Sequence, residues 1–304
     1  MNMSKKYIKS PLNYVGGKYK LLPQIEPLFP QADTFVDLMC GGFNVGVNAR
    51  ANFVIGNDIE DKVIQLLDMF KNYSSDYIIN QIENIVNEYG LSDTSKKGYE
   101  FYGCNSSDGV AKYNKEKYLK MRTDYNNNQD DVFLFYTVVI FAFNNQIRFN
   151  NKGEFNMPVN KRDFNNNIRK NIIKFVDEIH KKEITFTNND FRELKPNKLT
   201  TNDFVYLDPP YLLGCASYNE QDGWNLDLEK DMYQLCDDLN NKNIKFAMSN
   251  VVKHKGKINE YLENWGGKYN INFLDFDYKN CNYHSNNKNN ETIEVLITNY
   301  NINK

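Results

Sequence analysis

Seven short apolar runs, separated in several places by segments of helical periodicity, are what most constrain this chain. Residues 34–38, 53–56, 184–187, 204–207, 245–249, 269–274 and 293–298 each have the length and apolar character of a strand buried in a sheet. Strands that alternate with helices cover both faces of a mostly parallel sheet, so the expected class is α/β. The alternation fails between about residues 61 and 162. There, helical patterns at 62–89, 115–125 and 131–142 give way to a turn-rich polar stretch. The expected division is a sheet domain of residues 1–60 and 166–304 and an inserted domain of residues 61–165. No repeat of fixed period and no long linker interrupts the pattern.

Bulk composition excludes several classes. With 304 residues and 41% hydrophobic content the chain can bury a full core. No apolar run approaches the roughly 20 residues of a membrane span, and the first residues lack the apolar stretch of a signal peptide, so a cytoplasmic protein away from membranes is expected. Cys40, Cys104, Cys215, Cys236 and Cys281 are scattered with no C-x-x-C pair, and His180, His254 and His284 have no ligand spacing. Neither a disulfide framework nor a metal site is indicated. The net charge of −2 is unevenly placed. Residues 145–182 hold nine Lys or Arg against four Asp or Glu. Such a run suits phosphates, and a solvated helix face explains it equally well.

Three corners carry chemistry. The run TFVDLMCGGFNVG sets Asp37 near a strand end and Gly41-Gly42 at the turn beyond it, where backbone can approach a ligand closely. About twenty residues on, FVIGNDIE ends a second strand in Asn57-Asp58, and a carboxylate there can accept both hydroxyls of a ribose. The glycine spacing is neither G-x-G-x-x-G nor G-K-[ST], which points to a nucleoside and away from a dinucleotide or triphosphate. In NDFVYLDPPYLL a strand runs into Asp208, Pro209, Pro210 and Tyr211. Proline fixes its own φ and restricts the preceding residue, so this corner is rigid and extended.

The ordered set NYVGGK, FVDLMCGG, NDIE, RFNNKGEFNMP, NNDF, LDPPY, SN and EVLITNY resembles the Dam-like (D12 class, alpha group) adenine-N6 DNA methyltransferases over residues 11–300. The resemblance implies a Rossmann-like, seven-stranded methyltransferase sheet with an inserted, mainly helical target-recognition domain carrying a β-hairpin. It implies S-adenosylmethionine as cofactor, held by Tyr14, Gly16, Gly17, Lys18, Asp37, Cys40, Gly41, Gly42, Asp58, Ile59, Asp190, Phe191 and Asp208. Double-stranded DNA is the implied partner, the enzyme is expected as a monomer, and a separately acting cognate restriction endonuclease is compatible with it.

The same resemblance gives the Pro-Pro corner a task. An exocyclic adenine amine is a poor nucleophile because its lone pair is delocalised into the ring. The Asp208 carboxylate and the Pro209 carbonyl can each accept one of its N–H groups, Pro210 keeps the corner stiff, and Tyr211 offers a face for a flipped base. Two alternatives are cytosine-N4 methylation, which faces the same amine problem, and a silent DNA-binding protein of this fold. The inserted stretch NNQIRFNNKGEFNMPVNKR predicts a hairpin about an NNKG turn, with Arg148, Asn150, Asn156, Pro158, Lys161 and Arg162 as candidate DNA contacts. Beyond Pro158 the chain reads PVNKR where Dam reads PFGRY, so the GATC site is not carried over.

Overall fold

The computed structural model describes residues 6–213, 223–275 and 292–301; Cys215, Cys281 and His284 lie outside them. The chain divides into two compact units, Met1–Gly17 with Asp61–Lys181, and Lys18–Glu60 with Lys182–Lys304.

Among the described residues the second unit is built on a sheet of eight strands: β1 (Thr34–Asp37), β2 (Phe53–Asn57), β3 (Glu183–Thr187), β4 (Phe204–Leu207), β5 (Lys245–His254), β6 (Lys257–Ile258), β7 (Asn270–Leu274) and β8 (Thr292–Thr298). Their order is β3-β2-β1-β4-β5-β8-β7, with the two-residue β6 paired only to β5. The pairs among β3, β2, β1, β4 and β5 are parallel, while β8 runs antiparallel to both β5 and β7. The order departs in both directions from β1, toward β2 on one side and β4 on the other, which makes the carboxyl ends of β1 and β4 a topological switch point. In open α/β sheets ligands bind at that place.

Alternation along the central strands separates two apolar layers. Phe35 and Phe204 pack with Phe29, with ring centroids 5.2–5.7 Å apart, whereas Val36, Val205 and Leu207 join a cluster with Met232, Leu235 and Leu239 of the helix Leu226–Asn241. All four residues of β4 are buried, so its continuous apolar run is the signature of a central strand.

The first unit is helical: Asp61–Asn72, Ser75–Glu88, Ala111–Asn127, Val132–Phe141 and Asn166–Ile179 are its longer helices. The single helix expected over 62–89 is two. Ser74 has extended backbone and its side chain accepts the Tyr77 N–H at 3.3 Å, so it caps a new helix. Val132–Phe141 is apolar all round and buried for most of its length, as a central helix must be. Asn166–Ile179, expected within the sheet domain, groups instead with the helical unit: Phe175 packs edge-on against Phe70 at 5.5 Å, and Arg169 pairs with Glu83 and Asp93. The expected hairpin turns at Asn150–Gly153, where Gly153 (φ 74°) donates its N–H to the Asn150 carbonyl at 2.9 Å. Its arms form no continuous ladder: Phe149 bridges Phe155, Ala142 bridges Val159, and a few backbone bonds such as Asn156 N–H to the Arg148 carbonyl complete the pairing.

Candidate active site

The strand ends of the sheet unit bring four ionisable side chains together, Lys18, Asp37, Asp58 and Asp208. Asp208 follows β4 directly, and its Oδ2 lies 2.7 Å from Lys18 Nζ, with the lysine 4% and the aspartate 16% exposed. Tyr211 donates its hydroxyl to Asp208 Oδ1 at 3.1 Å, and Lys18 Nζ stands 5.0 Å from the Tyr211 ring centroid. Burial pushes the Asp208 carboxyl above its ordinary pKa, while Lys18 and Tyr211 hold it back. Pro209 is buried and Pro210 exposed. Behind this corner the buried Tyr206 hydroxyl shares a 2.7 Å hydrogen bond with Ser249, which ties β4 to β5.

Asp37 closes β1 and is 1% exposed. Its Oδ2 accepts the Gly46 N–H at 2.8 Å, yet burial raises its pKa to about 8; the charges of Asp208 and Asp58 push in the same direction. Asp58 stands just past β2, where its two oxygens accept the N–H groups of Gly41 at 2.8 Å and Glu60 at 3.0 Å. Burial raises its pKa too, against those backbone bonds. With about four acceptor sites on its two oxygens, the Asp58 carboxylate keeps capacity for a ligand hydroxyl.

The turn after β1 is tight. Gly41 has φ 46° and Phe43 φ 60°, an unusual conformation for an aromatic residue. The Phe43 ring, fully buried, packs edge-on against Phe186 and lies where a Cβ on Gly46 or Gly56 would fall, 2.1 and 2.9 Å from its Cε2. Those two glycines make room for the ring that pins the turn. Cys40 is a buried thiol whose pKa burial pushes up, and its N–H donates to the Asn57 carbonyl at 2.8 Å.

The other expected cofactor residues fall as follows. Asp190 caps a short turn and holds Arg192, whose guanidinium depresses the carboxyl below its ordinary range. Phe191 is 6% exposed, sits in the sheet's apolar cluster and faces Trp224 at 5.7 Å. Ile59, beside Asp58, is 72% exposed. Tyr14, Gly16 and Gly17 group with the helical unit, where the Gly17 N–H closes a turn on the Tyr14 carbonyl and Gly16 has φ 79°.

One residue that sequence reasoning left without a task organises this end of the sheet. Asn57 donates to the carbonyls of Leu38 and Asn189 at 3.0 and 2.9 Å and accepts from the Thr187 hydroxyl at 2.7 Å and the Asn189 N–H at 3.1 Å. Asn188 adds bonds to the carbonyls of Asp58 and Ile59. The signal was a polar residue closing an apolar strand directly before a candidate ligand.

In the helical unit, Arg148 Nε donates to Asn156 Oδ1 at 2.9 Å across the hairpin. Asn150 directs its side chain at the turn, accepting the N–H groups of Lys152 and Glu154 and donating to the Glu154 carboxylate. The Pro158 carbonyl accepts the Phe143 N–H at 2.7 Å, Lys161 is exposed, and Arg162 donates to the Tyr99 hydroxyl at 2.9 Å. Among the described residues no group of three or more His, Cys, Asp or Glu is arranged to hold a metal ion, and no helix is long and apolar enough to cross a membrane.

Comparison with known proteins places the chain. The profile of the D12 class N6 adenine-specific DNA methyltransferases matches residues 14–279. The modification methylase StsI of Streptococcus sanguinis is 41% identical over 309 residues, which cover 99% of this chain and 44% of that protein. The type II methyltransferase M.FokI of Planomicrobium okeanokoites is 41% identical over 301 residues, 97% of this chain and 43% of that one. The modification methylase LlaI of Lactococcus lactis subsp. lactis is 32% identical over 299 residues, 96% and 44% of the two chains. The chain thus spans less than half the length of these curated relatives. With a family profile matched over most of its length and the switch-point acids in place, the chain belongs to the D12 class N6 adenine-specific DNA methyltransferase family.

Proposed function

We propose that this chain transfers a methyl group from S-adenosylmethionine to the exocyclic N6 of an adenine in duplex DNA, at a defined sequence, as a modification enzyme whose cognate restriction endonuclease acts separately. The observation that carries the reading is the Asp208 carboxylate, held at the end of a fully buried strand by Lys18 and Tyr211.

The residues fit a cationic nucleoside cofactor. Asp37, Asp58 and Asp208 face a single cation of their own, Lys18, in the set of charges that act on Asp37. Such a site carries surplus negative charge whenever the three acids are ionised, and a ligand with a sulfonium and an ammonium group relieves it. Asp58 would hold the ribose hydroxyls, Asp37 and the Gly41-Gly42 turn would lie near the methionine part, and Ile59, Asp190 and Phe191 would line the adenine. Bound there, S-adenosylmethionine supplies an electrophilic methyl group.

Ionised Asp208 accepts one N–H of the target amine and the Pro209 carbonyl the other, which draws the nitrogen toward tetrahedral geometry and directs its lone pair. Lys18 keeps the carboxylate charged against the burial that would protonate it. Two prolines keep the acceptors from relaxing away. The Tyr211 ring stacks on the flipped base, since a base inside a duplex cannot reach such a pocket. The N–C bond would form as the sulfonium S–C bond breaks, with neutral S-adenosylhomocysteine as leaving group and the proton shed by the nitrogen passing through the Asp208 carboxylate to water.

In the helical unit Arg148 and Asn156 read base edges, and Lys161 and Arg162 meet phosphates. Asp208→Ala tests the catalytic assignment. It should lose methyl transfer by orders of magnitude and still bind S-adenosylmethionine, because its task is on the amine. Near-native turnover in that variant would refute the mechanism.

A further inference from the structure

The hairpin that carries Arg148 and Asn156 is paired by few bonds beyond its turn at Asn150–Gly153. No continuous ladder forms: the arms meet at the isolated bridges of Phe149 with Phe155 and Ala142 with Val159 and through a few backbone bonds, among them Asn150 N–H to the Glu154 carbonyl at 2.9 Å and Asn156 N–H to the Arg148 carbonyl at 3.3 Å. Weakly specified pairing slips easily, and a slip of one residue turns every side chain to the opposite face. Here the helix Ala111–Asn127 adds bonds that hold the register the turn begins.

Tyr118, Arg122 and Asn126 are spaced by four residues and share one face of that helix. Asn126 behaves as a strand would: its Nδ2 donates to the Phe155 carbonyl at 3.1 Å, and its Oδ1 accepts the Phe155 N–H at 2.8 Å. Two residues along, the Met157 carbonyl accepts both the Tyr118 hydroxyl at 2.9 Å and Arg122 Nη1 at 2.8 Å. Phe155 and Met157 are 1% and 3% exposed, with the Phe155 ring edge-on to Phe135 and Phe149. Successive residues of an extended chain face opposite ways, so fastening 155 and 157 to the helix turns Asn156 away from it. Asn156 in turn accepts from Arg148 Nε at 2.9 Å, so the two candidate readers form one pair.

We propose that Asn126, supported by Tyr118 and Arg122, is the positioning residue for sequence recognition: it sets the register at which the Arg148–Asn156 pair meets the base edges of duplex DNA. This rests on the reading that the hairpin reads the bases. Asn126 touches no base in this account and acts through the Phe155 backbone.

The test is methylation by the full chain of a randomised-site DNA library with S-adenosylmethionine, scored as the ratio of rates between sites competing in one tube. That ratio is independent of how much enzyme is folded. Asn126→Ala should lower discrimination between the native site and its single-base neighbours by about tenfold, the factor carried by about 1.4 kcal/mol. The loss should fall at the same base positions that Arg148→Ala relaxes. Tyr118→Phe, which removes one hydroxyl and keeps the ring, should shift those positions in the same direction by less, and it decides the matter if Asn126→Ala does not fold. A merely structural role would lower the melting temperature and leave the ratios unchanged. Unchanged ratios in Asn126→Ala and Tyr118→Phe, with Arg148→Ala still altering preference, would overturn the positioning role alone. Unchanged ratios in all three would remove the hairpin as reader and this inference with it.

Discussion

Lys18→Met isolates the electrostatic part of the proposed mechanism. The substitution keeps an unbranched apolar stem in a site that is 4% exposed and removes the ammonium 2.7 Å from Asp208 Oδ2. At that distance two unit charges attract by about 6 kcal/mol at an effective dielectric of about 20, before the cost of desolvating the pair. The native carboxyl already has its pKa raised by burial, with Lys18 the largest restraint on it. Without that restraint its pKa should rise further, and a carboxyl that holds its proton to higher pH is a poorer acceptor for the amine. A carboxyl that works only when ionised loses function as pH falls through its folded pKa, so raising that pKa moves the acid limb of the rate profile toward alkaline pH. Methyl transfer by Lys18→Met should fall at pH 7 by about 100-fold, equivalent to about 2.7 kcal/mol of barrier, and recover as pH rises. Asp208→Asn should be impaired at every pH, since nothing remains to ionise. Single-turnover rates from pH 6 to 10 make the comparison. A Lys18→Met profile superimposable on that of the native enzyme would refute the argument.

Asp58→Ala should weaken S-adenosylmethionine binding about 10- to 100-fold by calorimetry, the value of about 1.5–3 kcal/mol for hydrogen bonds to a charged group, and unchanged affinity would move the ribose site elsewhere. Asp37 has a folded pKa of about 8 against an ordinary 3.8, so the unfolded chain sheds its proton first and stability should decline from about pH 4 to 8. Asp37→Asn keeps an acceptor for Gly46 and should flatten that decline, at about 1.4 kcal/mol per pH unit, in urea titrations of the cofactor-free protein; an unaltered decline would mean that another group causes it. Arg148→Ala should cost about 1–3 kcal/mol on the native site and leave unrelated DNA nearly unaffected, and gel-shift titrations showing an equal loss on both would make it a phosphate contact.

The sheet was legible wherever burial leaves a continuous apolar run. Phe204–Leu207 is recovered with its bounds intact because every residue of a central parallel strand is buried. Strand β5 continues to His254, five residues past its apolar run, because it pairs with β8 as far as Thr292; pairing with a partner 38 positions away leaves no local trace. Strand β6 has two residues, too few for any period, and its only mark is a Lys255-Gly256 turn with φ 49° and 79°. In the site, Asp37, Asp58 and Asp208 were visible as acids closing strands. The Lys18–Asp208 pair joins residues 190 positions apart, and no local pattern states such a contact. Nor could periodicity reveal that the hairpin is fastened to a helix, because hydrogen bonds from Asn126 to a backbone leave the helical pattern unaltered.

The pairing of β2 with β3 has a consequence for how this chain acquires its structure. The two strands are neighbours in the sheet, yet 126 positions separate Asn57 from Glu183, and the long helices of the other unit lie between. At about 5–20 residues per second, synthesis brings β3 to the ribosome exit roughly 6–25 s after β2. Helices form in microseconds, so the local contacts of residues 61–181 have time to assemble while β2 waits as an unpaired edge. During that interval β1 and β2 carry a row of open backbone groups, the state most exposed to wrong pairing. Translational pausing within the helical stretch should therefore lower the yield of soluble protein more than an equal pause after residue 250.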